Sequence, residues 1–81
     1  MSDNVRILVL QRGWVVVGNY SEEGDECVLH DASVIRRWGT TKGLGELANG
    51  PLENTVLDHA GVVRAHKLAV VMQIECPAWT R

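Results

Sequence analysis

The chain holds three histidines and two cysteines, and its tightest grouping, Cys27-x-x-His30, has a spacing at which two side chains could grip one metal ion. A tetrahedral zinc site needs a second local pair, or well-placed third and fourth ligands. His59, His66 and Cys76 are scattered without such spacing, so the expectation is core thiols, surface imidazoles and no metal. His30-Asp31 and Asp58-His59 set a carboxylate beside an imidazole, the pairing that general acid–base chemistry uses. Sequence neighbours on a strand point to opposite faces, which makes adjacency poor evidence of a relay. Asp31 reads instead as a turn residue ahead of Val34, and no serine has the setting of a nucleophile elbow. No enzymatic activity is expected.

Gly43-Leu44-Gly45-Glu46-Leu47-Ala48 matches the letters of a G-x-G-x-x-A dinucleotide fingerprint. No parallel βαβ unit surrounds it and no acidic residue follows about 20 positions on, so its glycines read as turn and helix-entry residues and no cofactor is expected. Arg36-Arg37-Trp38, with Arg64 and the further arginines Arg6 and Arg12, offers a different chemistry. A guanidinium beside an indole suits stacking on a base and holding phosphates. The competing reading has Arg36 and Arg37 on alternate faces of a strand, one solvated and one paired with a carboxylate. Trp14, Trp38 and Trp79 are the large rings of a chain without phenylalanine, and in so small a domain they read as core or interface anchors.

The elements that would position these residues are mostly strands. Val5 to Leu10 and Trp14 to Tyr20 are dense in β-branched and aromatic residues, with Gly13 between them and Gly18 inside the second run, which predicts a hairpin. Glu22-Glu23-Gly24-Asp25 is a turn; Cys27-Val28-Leu29 starts a third strand and Val34 to Trp38 a fourth, joined through His30-Asp31-Ala32-Ser33. Gly39 ends that strand, and Thr40 or Thr41 could cap one or two helical turns over Leu44 to Asn49, stopped by Gly50-Pro51. Leu52 to Ala60 has no clear period and reads as a surface crossing. Val62 to His66 and Leu68 to Glu75 return to strand composition, with Leu68, Val70, Met72 and Ile74 predicted on one face.

Eighty-one residues make one domain of 8.9 kDa spanning residues 1–81, and the balance of 46% hydrophobic to 22% charged residues is that of a folded globular chain. A net charge of -2 supplies no basic stripe for phosphate binding, which argues against nucleic acid and against a polybasic membrane surface. No segment reaches the ~20 apolar residues that span a bilayer, and the polar start Met1-Ser2-Asp3-Asn4 lacks the pattern of a secretory signal. Free thiols in a reducing cytoplasm are the corresponding expectation for the cysteines. The fold expected is all-β: a small β-barrel or bent antiparallel sheet of five to six strands with one short helix near residues 43–49.

In the first hairpin Leu8 and Leu10 oppose Val5, Ile7 and Val9, while Val15 and Val17 oppose Trp14 and Val16, so both faces are apolar. One face of a small antiparallel sheet normally meets water, and a subunit interface is the more economical cover. The expectation is a homo-oligomer associating through Leu8, Leu10, Trp14, Val15, Val16 and Val17.

Taken in order, Gly13-Trp14-Val15-Val16-Val17-Gly18, Glu23-Gly24-Asp25-Glu26-Cys27-Val28-Leu29-His30-Asp31-Ala32, Ile35-Arg36-Arg37-Trp38, Leu44-Gly45-Glu46-Leu47-Ala48 and Ile74-Glu75-Cys76-Pro77 resemble a family of small bacteriophage-encoded proteins of uncharacterised function. Its members share a two-glycine hairpin, an "EG-[KQ]-E-VVL-x-DAR" segment, a tryptophan ending the next strand, an "LSxLA" helical turn and a terminal "IPC". The likeness covers residues 5–77. This chain departs from it with Val34 in place of the second basic residue after "DA", Gly45 in place of the helix serine, and Glu75 within the terminal motif. The resemblance implies a phage origin, a β-rich fold and a setting in the host bacterial cytoplasm or the virion, and it carries no catalytic residues over. Three functions follow as expectations: a self-associating phage accessory or assembly protein; a module sequestering a small anionic ligand such as a host defence signalling nucleotide, through Arg36, Arg37, Trp38 and Arg64; and an inhibitor docking on a host protein.

Overall fold

The computed structural model describes residues 4–39, 43–77 and 79. Five strands follow one another as an antiparallel meander: β1 (Val5–Leu10), β2 (Val15–Glu23), β3 (Glu26–Arg37), β4 (Val56–His66) and β5 (Val70–Glu75). β5 returns to pair with β1, giving the spatial order β4-β3-β2-β1-β5. The sheet is bent and unclosed, which fits the bent antiparallel sheet of five to six strands expected from the sequence rather than a closed barrel. Short 3-10 turns fill the joints at Gln11–Gly13, Leu44–Asn49 and Lys67–Ala69. The helix expected near residues 43–49 is therefore 3-10 rather than α; its proposed caps Thr40 and Thr41 lie outside the described residues.

His30 to Ser33 does not separate two strands. β3 runs unbroken through it because Asp31 takes a left-handed conformation (φ 51°) and absorbs one extra residue, after which the ladder resumes. The bulge lies against Gly18 on β2, where an added Cβ would stand 3.0 Å from the His30 carbonyl oxygen. On the other side Ala32 pairs with Gly61 of β4, itself at φ 77°. Gly18, Asp31 and Gly61 thus form a line of irregularity across three strands, and the sheet bends along it.

The bend explains the two-sided hydrophobicity of the first hairpin, and it corrects the inference drawn from it. One face of the sheet gathers Val5, Ile7, Val15, Val17 and Ile35 under Leu44 and Leu47 of the second 3-10 turn, with Cys76 and Trp79. The other face gathers Leu8, Val16, Cys27, Leu29 and Ala32, with Tyr20, Val63 and Val70 around them. A sheet folded toward itself covers its own concave side. Each fully buried Leu, Ile or Val contributes about 1.5–3 kcal/mol, and both clusters are built within the one chain.

Two other expectations fail for reasons of register. Leu52 to Ala60 is not all crossing: Thr55 ends the loop and β4 begins at Val56, its period hidden because an edge strand meets water along much of its length. The face shared by Leu68, Val70, Met72 and Ile74 is also broken. Leu68 falls in the 3-10 turn before β5, and a bulge at Val71, between the pairs Leu10/Val70 and Val9/Met72, sends Val70 to one cluster and Ile74 to the other.

Candidate functional site

The four residues expected to hold an anion are not brought together. Arg37 pairs with Val56 and Arg64 with Val28, so Arg64 stands eight positions further along β4 than the residue beside Arg37, a separation of about 25 Å at strand rise. Two of the guanidiniums are already engaged. Arg36 Nε lies 3.3 Å from Asp58 Oδ2, and Arg64 bridges Glu23 at 3.3 Å and Glu26 at 3.4 Å. These carboxylates, Glu23 first, hold the Arg64 guanidinium charged even more firmly than usual. Arg37 is exposed and makes no ion pair among the described residues, and the half-exposed Trp38 follows it.

The stacking partner of an arginine is found elsewhere. Arg6 lies over the Tyr20 ring at 4.2 Å from the centroid and donates from Nη1 to Gln73 Oε1 at 2.8 Å, so it ties β2 to β5 across β1. Tyr20 in turn donates to Glu22 Oε2 at 2.7 Å and meets Cys27 Sγ at 3.4 Å. Sequence reading overlooked this group because Arg6 and Tyr20 meet only once the register of the first hairpin is known.

The remaining chemical signals spread out. Asp31 and His59 approach to 3.8 Å, both on the surface. Cys27 is buried in one cluster and His30 points to solvent, and no group of three or more metal-ligating side chains occurs among the described residues. Cys76 is buried in the opposite cluster, so the sheet itself separates the two thiols. Gly43 takes φ 104° at the start of the 3-10 turn, and the turn's Leu44 and Leu47 are spent on the core.

Of the six residues expected at a subunit contact, Leu8, Val15, Val16 and Val17 are buried inside the chain and Leu10 is half-buried. They are core residues, because the bent sheet covers both faces. Trp14 alone stays exposed, at 59%. Its carbonyl accepts from the Leu10 N–H at 2.7 Å, and Leu10 pairs with Val70, which sets Trp14 at the corner where β5 begins. Leu68, Val71 and Met72 are exposed at that same end. The site that the geometry assembles is this apolar corner together with the open edge of β5. Among the described residues no helix is long and apolar enough to cross a membrane. No protein-family model and no curated protein matches the sequence.

Proposed function

We propose that the protein is a non-enzymatic, self-associating accessory or assembly component of a bacteriophage, acting in the host cytoplasm or the virion, and that its contact surface is the corner formed by Trp14, Leu68, Val71 and Met72. The observation that carries this reading is the placement of four large apolar side chains in water at one end of β5, an edge strand of the sheet among the described residues. Exposed edges are templates for association, and apolar ones most of all. The phage setting is supported by the ordered segments from Gly13 to Pro77 described above. Native mass spectrometry of the purified protein tests self-association: a defined oligomer is expected, and a monodisperse monomer at high concentration overturns the reading.

A second reading is favoured by one observation, the exposed Arg37, which makes no ion pair among the described residues, beside the exposed Trp38. An anionic ligand with an aromatic ring, such as a signalling nucleotide, would meet a charge and a stacking surface there. A nucleotide raises the melting temperature by mass action if the folded state binds it. The expected loss of that shift in Arg37→Ala, with Arg64→Ala unchanged, would assign the site to the Arg37 end of β3.

A further inference from the structure

The two open edges of the sheet are unlike. β4 exposes Val56 and Val62, but it intersperses them with Asp58, His59, Arg64 and His66, charged or polar side chains of the kind that protect an edge from pairing. β5 carries one charge, Glu75, and presents Val71 and Met72 to water at 68% and 49% exposure, with Leu68 at 82% just before it. With Trp14 at 59% these make four exposed apolar side chains at one end of the strand, and contiguous apolar surface of this kind is often functional.

The backbone of β5 is available for pairing in a defined pattern. The Cys76 N–H donates to the Val5 carbonyl at 2.9 Å, and the register pairs Arg6 with Glu75, Ile7 with Ile74, Leu8 with Gln73 and Val9 with Met72. Antiparallel pairs alternate between exchanging hydrogen bonds and not. Ile74 and Met72 therefore bond to β1, while the N–H and C=O groups of Gln73 and Glu75 point outward.

We infer that β5 docks on β5 of a second copy, the two strands running antiparallel about a two-fold axis at Gln73, so that two five-stranded sheets continue as one. This rests on the self-association reading and specifies its surface. Centring on Gln73 pairs Met72, Gln73 and Ile74 within the regular stretch of β5 and sets Glu75 opposite Val71 of the other copy. The outward groups of the two Gln73 residues then bond to each other, and Met72 of each copy lies opposite Ile74 of the other on the same face. The two Glu75 carboxylates end up four positions apart, about 13 Å along the strand, beyond the ~8 Å screening length at physiological salt. Centring on Glu75 would instead set like charges opposite each other.

The test uses the full chain with three variants. Gln73→Cys is expected to form a disulfide-linked dimer under mild oxidant, because a bonded cross-strand pair has a Cα separation of about 5.5 Å, which a disulfide spans. Val62→Cys, on the β4 edge, is expected to stay unlinked. Gln73→Pro removes an outward N–H and no backbone bond to β1, and it shares with Gln73→Ala the loss of the side-chain bond to Arg6, so a monomer mass with a cooperative thermal transition is expected, whereas Gln73→Ala, which keeps the N–H, stays dimeric. Linkage through Val62→Cys with none through Gln73→Cys, or a dimer that survives Gln73→Pro, overturns the β5 pairing and leaves self-association standing. A wild-type protein that is monomeric across the whole dilution series overturns both.

Discussion

The Arg6 guanidinium and the Tyr20 ring face each other at 4.2 Å, and the contact joins three strands, since Arg6 on β1 also bonds to Gln73 on β5. A cation over an aromatic face is worth about 0.5–2 kcal/mol, according to how far water is excluded. Arg6 Nε is buried without a hydrogen-bond partner among the described residues, so the ring and the Gln73 amide hold the charge between them. Tyr20 is thereby fixed with its hydroxyl toward Glu22 and Cys27.

That placement makes stability sensitive to alkali. Burial first, then the hydrogen bonds with Cys27 and Glu22, raise the Tyr20 hydroxyl well above its ordinary value of 10.0. The folded state thus keeps a proton that the unfolded chain gives up, and the stabilisation is complete below the unfolded value and declines as pH rises past it. Urea midpoints measured between pH 8 and 11 should fall for the wild type and fall less for Tyr20→Phe.

The same hydrogen bond acts on the acid side. The Tyr20 hydroxyl, and after it the Lys67 ammonium at 3.6 Å, hold the Glu22 carboxyl below its ordinary range. Its contribution is present above the unfolded value of 4.5 and is lost as pH falls through the folded one. Glu22→Gln should flatten the acid arm of the stability profile and, because the carboxylate also helps to raise the Tyr20 hydroxyl, shrink the alkaline arm without abolishing it.

Gly39 is the position least tolerant of a side chain. It holds φ 66°, and an added Cβ would stand 2.3 Å from the carbonyl carbon of Asn54. The loop it touches is tied to β3's end by the Thr55 hydroxyl, which donates to the Trp38 carbonyl at 2.6 Å. Gly39→Ala combines a backbone clash with an unfavourable φ, so a loss of about 2 kcal/mol or more is expected in chemical denaturation. Gly24→Ala, with φ 57° but open space around it, should cost less.

Asp31 tests whether the bend depends on its bulge. A β-branched residue at φ 51° meets the steric penalty of the left-handed region, so Asp31→Val should cost about 1–2 kcal/mol. Asp31→Gly, which meets no such steric penalty, should cost less than Asp31→Val.

Both thiols should be inert in the folded protein. Cys27 and Cys76 are buried, and burial, only partly offset by a backbone hydrogen bond at Ile7, pushes the Cys76 thiol up. Reaction with a colorimetric thiol reagent should proceed for both only in denaturant. Rapid labelling of Cys76 in native buffer would show that the segment after β5 opens readily.

What the sequence determined is what depends on local composition. β-branched runs set the five strands approximately, Gly24 and Gly50-Pro51 set turns, and the two-sided apolar pattern of Val5–Leu10 and Val15–Val17 required that both faces be covered. Tertiary structure decided what covers them, because a bulge is a relation between strands: the extra residue at Asp31 is visible only against Gly18 and Gly61. The same holds for the arginines. Arg36-Arg37-Trp38 promised a cluster by adjacency, yet strand alternation and pairing with Asp58 dispersed it, while Arg6 and Tyr20, fourteen positions apart, met through register. Trp14, Val71 and Met72 are exposed for an equally non-local reason. They stand where β1 turns and β5 becomes the sheet's last strand, and no pattern within either segment marks it as an edge.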